Sequence, residues 1–157
     1  MLNIKTILCP IDFSKQSSAA FHLASSLARD YQARLVLTYV KIPPEVVYGE
    51  FGMSPPEVDD EDYKEQLMTV EPDDKTITVE HFFRKGQPAK EIVKLAQEEN
   101  ADLIVMGTHG RGGLTRMLMG SVAEHVMREA PCPVVTMKHP ASELNEMESQ
   151  KANVNNA

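Results

Sequence analysis

Leu103-Ile104-Val105-Met106-Gly107-Thr108-His109-Gly110-Arg111-Gly112-Gly113-Leu114-Thr115-Arg116-Met117-Leu118-Met119-Gly120-Ser121 is the stretch that decides the fold: an apolar strand, a glycine-rich loop and a helix start follow one another without interruption. Four consecutive apolar residues bounded by turn residues mark a buried strand. Glycine has no Cβ, so several backbone N–H groups can converge on one anion. A helix opening at Ser121 adds unpaired donors and positive dipole potential. The stretch is a candidate phosphate cradle at the carboxyl end of a strand.

The segments on either side repeat the strand-to-helix pattern. Ile4 to Ile11 is an apolar run, and Asp12-Phe13-Ser14 supplies the chemistry that ends a strand and caps a helix. Ala20, Leu23, Ala24, Leu27, Ala28 and Tyr31 then recur at helical spacing. Leu35 to Val40 is a second apolar strand, suited to a parallel sheet covered on both faces. Ile77 to Arg84 alternates and carries charge, as an edge strand does. Pro88 suits the first turn of a helix with Ala89, Ile92, Val93 and Ala96 as its apolar stripe and Asn100 as its end. Beyond the glycine loop, Val122, Ala123, Val126, Met127 and Ala130 mark a last helix, and Pro133 to Met137 a fifth strand. Strands alternating with helices imply a doubly wound α/β sheet.

Residues 41–75, with Pro43-Pro44 and Pro55-Pro56, are expected to be a crossover rich in loop, with one short helix around Glu57 to Met68. The acidic run Asp59 to Asp62 lacks calcium-loop spacing and is expected to be a solvated face. Residues 140–157 are polar and Asn-rich, which predicts a disordered tail after a folded unit of residues 1–139.

A chain of 157 residues suits one domain that buries about 70% of its unfolded surface. The formal net charge of -7 disfavours nucleic acid and anionic membranes as partners. The N-terminus has no signal-peptide pattern, no apolar run approaches spanning length, and the two cysteines, Cys9 and Cys132, are expected to be buried thiols. These features point to the cytoplasm. The five histidines have no metal-site spacing, so no metal site is expected. His109 is expected to pack or hydrogen-bond within the loop rather than act as a base.

Ligands of open α/β sheets bind beyond the carboxyl ends of the strands, where the winding reverses. If the first and fourth strands are neighbours, Pro10-Ile11-Asp12 faces the glycine loop across that crevice. A carboxylate opposite phosphate donors suggests a nucleotide. Neither G-x-x-x-x-G-K-[ST] nor a glycine in the first strand-to-helix turn is present, which removes the P-loop and the dinucleotide fingerprint. Several of these residues have alternative roles. Asp12 either caps the first helix or contacts the ligand, and Ser121-Val122-Ala123-Glu124 has the form of a capping box, compatible with phosphate contact. Arg111 and Arg116 either reach the phosphates or are solvated.

Gly107-x-x-Gly110, nine residues and then Gly120-Ser121, with Pro10-Ile11-Asp12-x-Ser14 and Ala130-Pro131-Cys132-Pro133-Val134, resembles the universal stress proteins over residues 3 to 138. The resemblance implies a five-stranded parallel sheet in order 3-2-1-4-5 with helices on both faces, of the adenine nucleotide α-hydrolase type. It also implies an ATP-binding subclass and a homodimer paired through the last strand. By position it sets Pro10, Ile11, Asp12 and Val40 around adenine and ribose, and Met106, Gly107, Gly110, Gly120, Ser121 and Val122 along ribose and phosphates. ATP is the expected cofactor, with Mg2+ carried on its phosphates. The expected role is a cytoplasmic stress-response module with at most slow ATP hydrolysis. A nucleotide-cleaving enzyme of the wider superfamily is an alternative, but it needs a glycine-serine phosphate loop after the first strand or a paired-histidine adenylation motif, and Cys9-Pro10-Ile11-Asp12 offers neither. A nucleotide-independent interaction module should lack the glycine-serine pattern that this chain carries.

Overall fold

The computed structural model describes residues 2–43, 59–108 and 120–138. Five strands, β1 (Thr6–Pro10), β2 (Arg34–Lys41), β3 (Val79–Lys85), β4 (Leu103–Gly107) and β5 (Val134–Met137), form one parallel sheet in the order β3-β2-β1-β4-β5. Among the described residues the helices between them are α1 (Lys15–Tyr31), α2 (Asp60–Met68), α3 (Pro88–Glu98) and α4 (Ser121–Glu129). The winding reverses at β1, which lies between β2 and β4. The expected fold class and strand order are present.

Strand side chains alternate between the two faces, so each central strand feeds two cores. Ile7, Cys9, Ile11, Leu35, Leu37, Leu103 and Val105 pack with Ala20, Ala24 and Ala28 of α1 and Leu67 of α2. Leu8, Val36, Ile104 and Met106 pack with Ile92, Val93, Leu95 and Ala96 of α3 and Ala123 and Val126 of α4. Alanines along α1 bring its axis close to the sheet. Tyr31, expected on that apolar face, is 40% exposed because the helix ends there, with Gln32 left-handed at φ 53°.

The crossover helix is shorter than the expected span and begins at Asp60, with Asp59 accepting from the Glu61 amide at 3.2 Å. Asp60, Tyr63 and Leu67 fall on one face of it. Leu67 is buried, Tyr63 stacks on Tyr39 of β2 at 4.9 Å, and Asp60 pairs with Lys41 at 2.6 Å and with Lys85. The acidic run is therefore not wholly a solvated face, because one of its carboxylates ties α2 to the ends of β2 and β3. The two lysines hold the Asp60 carboxyl down at about 2. Segment 140–157, expected to be disordered, lies outside the described residues.

Candidate functional site

The crevice opens where β1 and β4 part. Ile11 donates its amide to Thr38 of β2 at 2.7 Å, while the Thr6 amide meets Asp102 beside β4, so amides at even positions of β1 face β4. Pro10 occupies such a position and has no N–H to give. The β1–β4 ladder accordingly ends at Leu8↔Ile104, whereas the β1–β2 ladder continues to Pro10↔Thr38. A proline that would be disruptive earlier in a central strand here separates two strands at their carboxyl ends.

The turn after Pro10 is held by its own side chains. Asp12 Oδ1 accepts from the Ser14 amide at 2.9 Å, and the Asp12 amide donates to Ser17 Oγ at 3.3 Å. Ser14, not Asp12, is the N-cap of α1, its Oγ accepting from Ser17 N at 3.1 Å. Between them Phe13 adopts φ 61°, a conformation that costs a bulky residue about 1–3 kcal/mol, and its ring lies 5.2 Å from Tyr39. Packing against Tyr39 stabilises the bend that presents Asp12.

Across the crevice, β4 ends at Gly107. A Cβ there would lie 2.9 Å from Cβ of Gln16, a buried residue in the first turn of α1. The sequence reading attributes this glycine to a ligand, but close approach of α1 is sufficient reason for it. Thr108 follows, 5% exposed, and the Gly120 amide donates to its carbonyl at 2.7 Å, so the ends of the glycine loop are joined at their base. The loop between them, Gly110, His109, Arg111 and Arg116 included, lies outside the described residues.

Gly120 is the N-cap of α4 and supplies no side chain, while its carbonyl accepts from the Glu124 amide at 3.0 Å. The expected capping box is not formed: Ser121 stands one position too far along, at the first helical residue, where its exposed hydroxyl makes no capping bond. Among the described residues the first-turn amides of Ser121, Val122 and Ala123 have no acceptor, as the first turn of any helix requires.

The remaining candidate residues lie at the same edge of the sheet. Val40 near the end of β2 and Val122 of α4 pack on the core shared by α3 and α4, to which Met106 belongs at 5% exposure. Ile11, also 5% exposed, packs into the opposite core beneath α1. The fold thus gathers Pro10, Asp12, Val40, Gly107, Gly120, Ser121 and Val122 at one edge, with Ile11 and Met106 turned into the two cores below it. Sequence reasoning passed over Thr108, whose role depends on a strand almost thirty residues later. Burial raises the thiol pKa of Cys9 and of Cys132, with Asp102 adding to the second.

Comparison with known proteins agrees with this architecture. The profile of the universal stress protein family matches residues 3–138. Universal stress protein MJ0531 of Methanocaldococcus jannaschii is 37% identical over 145 residues, covering 88% of this chain and 85% of its own. Among solved structures, hypothetical protein MJ0577 aligns with a TM-score of 0.65 at 27% identity, covering 88% of this chain and 99% of its own. A universal stress protein from Archaeoglobus fulgidus, solved in complex with dAMP, has a TM-score of 0.57 at 22% identity and covers 87% of this chain and 98% of its own.

Proposed function

We propose, on the premise that this chain belongs to the universal stress protein family, that the crevice beyond β1 and β4 binds an adenine nucleotide, with ATP as the physiological ligand. The observation that carries this reading is the start of α4. Gly120 leaves that helix without a side-chain cap, so the first-turn amides and the Ser121 hydroxyl are available to an anion. An anion at a helix N-terminus gains about 0.3–1 kcal/mol when exposed and up to ~2 kcal/mol when partly buried. The solved dAMP complex in the family supports an adenine ligand.

In this reading Pro10, Ile11, Asp12 and Val40 surround the base and ribose, while Met106, Gly107, Gly110, Gly120, Ser121 and Val122 line the ribose and phosphates. Asp12 Oδ1 is engaged by Ser14, which leaves the other carboxylate oxygen to accept from a ribose hydroxyl. Mg2+ would enter on the phosphates and neutralise part of their charge. Binding rather than turnover is the proposed activity, in a cytoplasmic stress-response module that pairs with a second copy through β5. Neither thiol suits a nucleophilic role, because burial favours the protonated form of each.

Calorimetric titration with Mg-ATP tests the reading. The wild type is expected to bind, and Ser121→Ala, which removes one hydrogen bond to a charged group, to bind about tenfold more weakly. No heat with the wild type, or an unchanged affinity in Ser121→Ala, would overturn it.

A further inference from the structure

Three hydrogen bonds join the start of α4 to the end of the edge strand through Thr108. The Gly120 amide donates to the Thr108 carbonyl at 2.7 Å, and Thr108 in turn gives both its amide, at 3.0 Å, and its Oγ1 hydroxyl, at 3.2 Å, to the carbonyl of Met137. Met137 is the last residue of β5, paired with Gly107, and Gly120 is the N-cap that precedes Ser121. Thr108 is 5% exposed, so these bonds are sheltered from competing water. Backbone pairing alone would need only its amide. The hydroxyl adds a second donor to the same carbonyl and makes the attachment specific to the side chain.

We infer that Thr108 is a positioning residue that links occupancy of the anion site at the start of α4 to the order of the outer strand β5. This rests on the nucleotide reading above and adds to it a named route between the two places. A ligand that grips Gly120 and Ser121 holds the Gly120 amide on the Thr108 carbonyl, and through Thr108 it holds the carboxyl end of β5 against β4. Linkage makes the effect reciprocal: whatever orders β5 tightens the ligand by the same factor. Among the described residues β5 has only four positions and β4 as its sheet partner, and Val135 and Met137 also pack on the core beneath α1.

Residue-resolved hydrogen exchange on the full chain, with and without saturating Mg-ATP, tests this alongside calorimetry on the same samples. In the wild type, Mg-ATP is expected to slow exchange of the Val135 and Met137 amides, which face β4 by the alternation of the strand, by about fivefold or more. Thr108→Val keeps the amide and the branched shape but loses the hydroxyl. It is expected to bind Mg-ATP about fivefold more weakly and to show no slowing at β5. Thr108→Ser is expected to restore both effects, and amides of β3 to exchange alike in all three proteins. Wild-type binding without slowing at β5, or undiminished slowing in Thr108→Val, would overturn the linkage and leave the nucleotide reading intact. No heat with the wild type would overturn both.

Discussion

Single atoms decide the shape of this site. Pro10 ends a ladder by lacking one hydrogen, and Gly107 admits a helix by lacking one methyl group. Gly107→Ala is expected to force the first turn of α1 away from β4, because the added Cβ would lie 2.9 Å from that of Gln16 and 3.4 Å from its backbone carbonyl carbon. Overpacking of this kind costs about 1–3 kcal/mol. Thermal unfolding followed by circular dichroism should therefore drop by roughly 2–12 °C. An unchanged midpoint would show that α1 yields without cost. The proline and the glycine are both plain in the sequence, but what each of them meets is not, since Gln16 and Gly107 are ninety-one positions apart.

Among the elements, α2 has the fewest anchors. It is nine residues long, and Leu67, Tyr63 and Asp60 fasten it to the ends of β2 and β3. Asp60 carries a pH dependence. Hydrogen bonds from Lys41 and then Lys85 lower its carboxyl from 3.8 to about 2. A depressed carboxylate contributes stability that is complete above the unfolded value and is lost as pH falls through the folded one. The Asp60 contribution should thus be whole above about pH 4 and vanish towards pH 2. Asp60→Asn should lower stability in denaturant titrations at neutral pH, and the difference from wild type should close as pH falls across that window. A difference that stays constant from pH 6 to pH 2 would mean the ion pair does not hold α2. Helix spacing over residues 60–68 is weak in sequence because Asp60, Tyr63, Lys64 and Leu67 face the sheet and two of those four are charged.

The whole molecule is two cores divided by one sheet, and the thiols report on it. Cys9 lies in the central strand at 0% exposure, and Cys132 is partly exposed in the turn before β5. A thiol reagent should modify one equivalent in the native protein, slowly at neutral pH because burial and Asp102 raise the Cys132 pKa. The second equivalent should react only at the rate of global unfolding. Simultaneous reaction of both would mean that β1 opens without the rest of the sheet. The expectation of buried thiols is met in full only by Cys9, because the turn between Pro131 and Pro133 leaves Cys132 near the surface.

The elements and the faces of the strands were determined by the sequence itself. Their periodicity and end signals are local, so apolar runs, Pro88 and Asn100 mark strands and helix ends wherever the chain later goes. The glycine-serine pattern with Pro10-Ile11-Asp12 was legible in the same way, and with it the family resemblance. Only the tertiary structure decided that Ser14 caps α1 in place of Asp12, that Ser121 begins α4 uncapped, and that Asp60 is a tether. It also decided that Thr108 joins the loop base to Met137. Each of these depends on a partner that pattern does not name. For Asp60 and Thr108 the partner is distant in sequence and is brought near by the parallel crossovers; for Ser14 and Ser121 it depends on a shift of one or two positions in where a helix begins.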